Sequence, residues 1–290
     1  MKSNYLHIIF ELTKIRITLF VMVTTSFGFI LSNGSFALGM IAPSLGIFLM
    51  ACASAVLNHF QEKDSDKLME RTKNRPIPSG KIKASNALII AIFLFFIGLS
   101  VLYIFSGTTA ALLGILALIW YNVIYTPLKR KTALAIIPGS VIGAIPPVVG
   151  WVAGGGSVTD SQAILLAFFF FIWQIPHFWL LLLVFGKDYE EAGFPTLTQI
   201  FSKEQLARIT FVWTFATAIT SFLLPLYNVL KISYASIAIL IAAIWLVYKA
   251  SFLLKSDVER AQFKYAFREI NLFVIYIILS VSIDRLLIFI

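Results

Sequence analysis

Asn58, Glu62 and Asp66 follow one another at intervals of four residues, in a chain that is otherwise 59% hydrophobic. On a helix of about 3.6 residues per turn this spacing drifts by about 40° per step, so the three side chains share one face. An amide and two carboxylates are hard oxygen ligands, the set that suits Mg2+ when it keeps several waters and shares substrate phosphates. Asp64 falls on another face of the same helix and is read as a further substrate contact. Arg71, Lys73 and Arg75 come directly after, and guanidinium and ammonium groups grip phosphate oxygens. A diphosphate bridged by Mg2+ is the simplest ligand that uses both sets, because an anionic lipid needs the cations but not the carboxylates. The competing reading is a solvated loop whose acids balance its lysines. Against it, the polar residues begin at the end of an apolar run, where such groups are expensive outside a functional cavity.

Two other groups of residues could do chemistry. Tyr121, Tyr125 and Lys129 close a second apolar run. Tyr125 and Lys129 stand one turn apart and can face one cavity, although a belt tyrosine and a snorkelling lysine would look the same. The segment from Trp173 to Trp179 carries Gln174 and His177 around Pro176, and Lys187, Asp188 and Tyr189 follow it. An ionisable side chain on a spanning helix is a site candidate. His177 suits a base, a proton carrier or an axial ligand to haem iron, and its residue type leaves all three open.

The elements that must position these groups are membrane helices. Only 13% of the 290 residues are charged and mean hydropathy is +0.90, whereas about a quarter of residues are charged in soluble domains. Nine apolar runs are long enough to cross about 30 Å of hydrocarbon as helices. They cover residues 17–33, 37–57, 86–105, 109–127, 134–153, 162–184, 208–229, 233–253 and 270–290. The expected fold is therefore all-α, a polytopic bundle of nine transmembrane helices forming one domain over 1–290, with no linker to divide it. The N-terminal segment reads as neither a signal nor a transit peptide. Cys52 sits in an apolar run without a partner cysteine and reads as a packing residue.

Charge sets the orientation. The net charge of +9 suggests nucleic acid at first sight, but 21 of the 23 Lys and Arg residues fall in alternate connections, the pattern that orients a membrane protein. Nucleic acid is excluded on that ground. The N-terminus is expected in the cytoplasm and the C-terminus outside. The polar connections 58–85 and 185–207 share the cytoplasmic side, so a site belongs at that mouth of the bundle.

Longer motifs now carry a resemblance. They are Leu12-Thr13-Lys14 with Arg16, Asn58 through Pro76 ending in Met-Glu-Arg-Thr-Lys-Asn-Arg-Pro, and Tyr125-Thr126-Pro127-Leu128-Lys129-Arg130. Gly143 through Pro147, Trp173-Gln174, Pro176-His177-Phe178, Asp188-Tyr189 and Ala192-Gly193 with Pro195 complete the set. With these the chain resembles the UbiA superfamily of intramembrane prenyltransferases, and within it the haem-specific branch. It departs from the wider pattern at Glu62, where the superfamily's first motif has Asp, and in carrying His177 and Asp188 where quinone-specific members have a second acidic motif.

The resemblance implies transfer of a farnesyl group from farnesyl diphosphate to a vinyl group of haem b, giving haem O. Mg2+ is the implied cofactor, with haem b a substrate. The implied site has Asn58, Glu62 and Asp66 as metal ligands and Tyr125, Lys129 and His177 in catalysis. Lys14, Arg16, Asp64, Arg71, Lys73, Arg75, Tyr121, Gln174 and Asp188 bind substrate. The implied setting is the cell membrane, with haem A synthase or oxidase assembly factors as protein partners. Two alternatives remain open: a prenyltransferase of this fold acting on a quinone-type or chlorophyll-type acceptor, and an anion transporter. A transporter would gather its ionisable residues near the bilayer midplane rather than at one face.

Overall fold

The computed structural model describes residues 5–230, 233–255 and 260–287. Among them the regular structure is entirely helical. The principal helices are α1 (Tyr5–Leu12), α2 (Ile15–Asn33), α3 (Ile41–Asp66), α4 (Ala84–Ile119) and α5 (Val141–Ala153), then α6 (Ser161–Glu191), α7 (Lys203–Ser221), α8 (Ser233–Ala250) and α9 (Arg260–Leu286). Eight stretches are long and apolar enough to cross a membrane, and one of them, Ala84–Leu128, runs for 45 residues. That is about twice what the hydrocarbon core takes.

A single glycine turns that stretch into two crossings. Gly107 has φ 83° and ψ 176° inside α4, a backbone conformation open only to a residue without Cβ. The arms on either side fold back on each other. A Cβ on Gly98 would stand 2.8 Å from Met50 of α3, and one on Gly114 would stand 2.7 Å from the same side chain. In a continuous helix those two glycines would lie about 24 Å apart. The described chain therefore has nine crossing helices, as the apolar runs require.

Small residues let the backbones meet. A Cβ on Gly28 of α2 would collide with the Pro147 carbonyl of α5, and one on Gly150 would collide with the Thr25 carbonyl. In lipid, where burying apolar side chains supplies little net drive, such close approach is a main source of helix association. Phe27 joins Phe169, Phe170 and Phe273 in the largest core, between α2, α6 and α9. The two arms of α4 are mostly unburied in the protein, and they present Phe93, Phe96, Ile104 and Phe105 outward, towards lipid.

Helix α3 runs past its apolar stretch to Asp66, as the shared face of Asn58, Glu62 and Asp66 requires, and so carries that face on a rigid element. Two boundaries differ from the sequence expectation. Helix α6 continues through residues expected in the connection 185–207 and ends only at Glu191. Its last turns are charged, so hydropathy gives no sign of them. Helix α9 starts about ten residues before the expected 270, at Arg260, for the same reason. The expected run to 290 passes beyond 287, and the side chain of Lys187 likewise lies outside the described residues.

Candidate active site

The three oxygen-bearing side chains of α3 lie on one buried face. Asn58 is 1% exposed, Glu62 3% and Asp66 1%. Buried carboxylates need partners, and each of the three groups has a cation of its own, drawn from a different part of the chain. Lys14 Nζ donates to Asn58 Oδ1 at 2.7 Å. Lys129 Nζ pairs with Glu62 Oε1. Arg75 Nη1 donates to both oxygens of Asp66, each at 2.8 Å. Three cations thus face two carboxylates and an amide, which leaves an excess of positive charge.

Local structure explains how each cation arrives. Lys14 is the hinge between α1 and α2 and holds φ 50°, ψ 49°, a left-handed conformation that a residue with Cβ adopts only when its surroundings hold it there. Its bonds to Asn58 and, at 3.4 Å, to Tyr121 Oη are that restraint. Enclosure, reinforced by the charges of Arg75 and Lys129 and opposed by those of Glu62 and Asp66, draws its pKa down to about 7. Arg75 sits in a tight series of turns after α3, where Thr72 Oγ1 donates to the Asp66 carbonyl at 2.9 Å. Lys129 ends the third crossing's return arm, just past a π-helical segment, Trp120–Tyr125. Such segments are frequent at functional sites.

That π-helical segment also builds an aromatic wall. Tyr121 and Tyr125 stack at 5.7 Å, and Tyr125 stacks on Phe178 of α6 at 6.1 Å. Lys129 Nζ stands 5.9 Å from both the Tyr125 and Phe194 ring centres. The wall fits because Gly139 faces it: a Cβ there would lie 2.6 Å from the Tyr125 ring. Gly143, one turn on, leaves room for the Gln174 amide in the same way. Asn122 is fully buried and ties the segment to α3, donating to the Ser54 carbonyl at 3.1 Å and to Gln61 Oε1 at 3.0 Å.

Some expected residues stand elsewhere. Asp64 points outward to Lys63 and Lys67 with its side chain 76% exposed. Lys73 pairs with Glu70 at 2.6 Å on the surface. Neither is brought to the oxygen face, because neighbouring positions on a turn diverge even when the sequence groups them. Arg16 is exposed, two residues past the hinge that aims Lys14 inward. Arg71 reaches across to α6, with Nη2 3.4 Å from Tyr189 Oη, and so joins the turns after α3 to the last turns of α6. Asp188 is half-buried one residue before Tyr189.

His177 belongs to a second group. Its Nδ1 lies 2.9 Å from Asn271 Oδ1 of α9, and its ring is flanked by Trp173 and Phe267, both at 4.9 Å. Residue type alone gives no sign of Asn271 or Phe194; Phe178 and Thr126 stand within the motifs, but their contacts are not legible there, and Thr126 accepts from Asn58 Nδ2 at 3.2 Å. His59, on α3 beside the polar face, is 1% exposed, with both ring nitrogens unpartnered among the described residues.

The donor set is compatible with one hard cation. Among the described residues no three His, Cys, Asp or Glu side chains converge, so a metal here would be held by Asn58, Glu62 and Asp66 together with ligand oxygens, as Mg2+ commonly is. Lys129 and Arg75 meanwhile occupy the carboxylates with positive charge.

Comparison with known proteins agrees with this fold. The sequence model of the UbiA prenyltransferase family matches residues 21–273. A protoheme IX farnesyltransferase of Oleidesulfovibrio alaskensis is 32% identical over 95% of this chain and 95% of its own. That of Gloeobacter violaceus is 33% identical over 97% and 92%, and that of Aquifex aeolicus is 43% identical over 64% of each chain. Among solved structures, one described for digeranylgeranylglyceryl phosphate synthase superposes with TM-score 0.78 at 17% identity, over 97% of this chain and 98% of its own. A UbiA homolog from Archaeoglobus fulgidus bound to GPP and Mg2+ superposes with TM-score 0.66 at 15% identity, over 95% and 99%.

Proposed function

The chain belongs to the UbiA prenyltransferase family, and on that premise we propose that it transfers a farnesyl group from farnesyl diphosphate to a vinyl group of haem b, giving haem O. The kind of acceptor follows from the relatives, which are protoheme IX farnesyltransferases over nearly the whole chain. The observation that carries the donor half is the set of three cations, Lys14, Arg75 and Lys129, held on the buried oxygens of Asn58, Asp66 and Glu62. A diphosphate bound with Mg2+ would find both halves of its site here, oxygens for the metal in Asn58, Glu62 and Asp66 and cations for the phosphates in Lys14, Arg75 and Lys129.

Asn58, Glu62 and Asp66 would hold Mg2+, which supplies Lewis-acid neutralisation of the diphosphate charge. Lys14, Arg75 and Lys129, with Arg71 at the rim, bind the phosphate oxygens and stabilise the charge that grows on them as the allylic C–O bond breaks. The bonding pair leaves with the diphosphate. Tyr121 and Tyr125 turn ring faces to the developing carbocation, and the aromatic wall keeps water away from it until capture. The vinyl π pair then forms the new C–C bond. Water adds to the resulting cation and loses a proton, leaving a hydroxyethylfarnesyl side chain.

The site opens on the cytoplasmic side, with the N-terminus in and the C-terminus out, a reading supported by the asymmetric placement of Lys and Arg. The setting is the cell membrane, and haem A synthase or oxidase assembly factors are the partners that such a product implies. Membranes containing the protein, given radiolabelled farnesyl diphosphate, Mg2+ and haem b without nucleotide, should yield labelled haem O. Label recovered in a quinone, or no labelled haem at all, would overturn the assignment.

A further inference from the structure

We propose that Asn271 is a positioning residue that fixes His177 as its Nδ1–H tautomer and so presents the Nε2 lone pair to the iron of the haem substrate. The inference rests on the haem b reading above and assigns an orientation within it.

The argument is one of donors and acceptors. Asn271 Nδ2 donates to the Phe267 carbonyl one turn back in α9, at 2.5 Å. A carbonyl oxygen only accepts, so the amide nitrogen must face it and Oδ1 must face the histidine. Asn271 Oδ1 is then an acceptor 2.9 Å from His177 Nδ1, and the proton between them has to come from the imidazole. In a neutral ring that leaves Nε2 unprotonated, with its lone pair available. This is the arrangement by which proteins orient metal-bound histidines, with the remote nitrogen bonded to a neighbouring acceptor.

The surroundings restrict the ring further. Trp173 and Phe267 flank it at 4.9 Å and Phe178 lies at 5.7 Å, so rotation out of the Asn271 bond would meet aromatic rings. Trp173 is 4% exposed and its indole N–H has no acceptor among the described residues, so this buried corner keeps a spare donor beside the imidazole. Phe178, the next residue, stacks on Tyr125 of the diphosphate site. A planar macrocycle held on His177 would therefore stand next to the wall that faces the allylic cation, since the two contacts are made by consecutive residues of α6.

Two measurements test this on the full-length protein in detergent. The chain has three histidines, so 15N-histidine labelling, with His177 assigned by difference against His177→Gln, reads the tautomer without haem. A pyridine-type Nε2 and a protonated Nδ1 are expected; a protonated Nε2 would overturn the proposal. Titration with protohaem IX, followed by absorption, reads the ligation. The wild type should give a saturable spectrum of nitrogen-ligated haem. His177→Gly should lose that spectrum and regain it with added imidazole. Asn271→Leu should weaken binding by about tenfold or more, in the range usual for residues that orient metal-bound histidines, whereas Asn271→Asp, which still accepts from Nδ1, should preserve it. An unchanged spectrum in His177→Gly, or unchanged affinity in a folded Asn271→Leu, would sink the ligation. If the ligation holds but membranes make no haem O, it is the farnesyl-transfer reading that fails.

Discussion

Arg75 closes on Asp66 with a single nitrogen, Nη1, 2.8 Å from each carboxylate oxygen, although nine positions separate the two residues along the chain. The pair is nearly sealed, with the Asp66 side chain 1% and the Arg75 side chain 17% exposed. Asp66→Asn keeps the size and removes the charge, so Mg2+-dependent transfer should fall by about 10²-fold or more, as when one group of a preorganised charged site is lost. Asp66→Ala should abolish it. Haem O formation retained in membranes carrying Asp66→Ala would remove Asp66 from the metal site.

Lys129 and Glu62 form the second sealed pair. Taking away one partner leaves an unpaired buried charge, which destabilises by about 3–5 kcal/mol. Lys129→Met should therefore lower the melting temperature in detergent strongly, and the double variant with Glu62→Gln should recover most of the loss. Activity should not recover in the double variant, because both groups also meet the diphosphate and its metal. Additive losses of stability would show that the two side chains are not coupled.

Asp64 and Lys73 offer the contrast. Both side chains are paired on the surface, away from the buried oxygen face. Exposed substitutions of this kind stay within about 0.5 kcal/mol, so Asp64→Ala and Lys73→Ala should leave thermal stability and the Michaelis constant for farnesyl diphosphate nearly unchanged. A large rise in that constant for Lys73→Ala would show that the turn rearranges when substrate binds.

Gly139 is predicted to be intolerant of a single methyl group. A Cβ there would stand 2.6 Å from the Tyr125 ring, and overpacking of this kind costs about 1–3 kcal/mol. Gly139→Ala should reduce stability and also turnover, because the ring it displaces belongs to the wall beside the cation. Normal turnover in this variant would detach the Tyr125 stack from the reaction.

Acid sensitivity should have a component on the opposite side of the bundle. Asp160 accepts from Trp151 Nε1 at 2.8 Å and from the Ser157 amide at 2.7 Å, and these two bonds hold its carboxyl below the ordinary aspartate range. A depressed folded-state pKa gives stability that is present above the unfolded value, about 3.9, and lost as pH falls through the folded one. Melting temperatures compared at pH 5 and at progressively lower pH should show that loss in the wild type. Asp160→Asn should flatten it, and an unchanged acid limb would assign the sensitivity to other groups.

The sequence by itself determined most of the membrane architecture. Apolar run length sets how many helices cross, the placement of Lys and Arg implies which way they point, and a period of four puts Asn58, Glu62 and Asp66 on one face. These are properties of composition and local periodicity, which need no knowledge of what packs against what. The helical extensions to Glu191 and from Arg260 escaped it because charged turns beyond the bilayer have no hydropathy signature. Only the tertiary structure decided which cation meets which oxygen: Lys14 crosses 44 positions to reach Asn58, while Lys73, much nearer in the chain, turns away to Glu70. It also separated His177 from the carboxylate face and gave it Asn271, 94 positions away, as its partner. Direction on a turn and contact between distant helices are set by backbone conformation and packing, and neither is encoded in the spacing of residues along the chain.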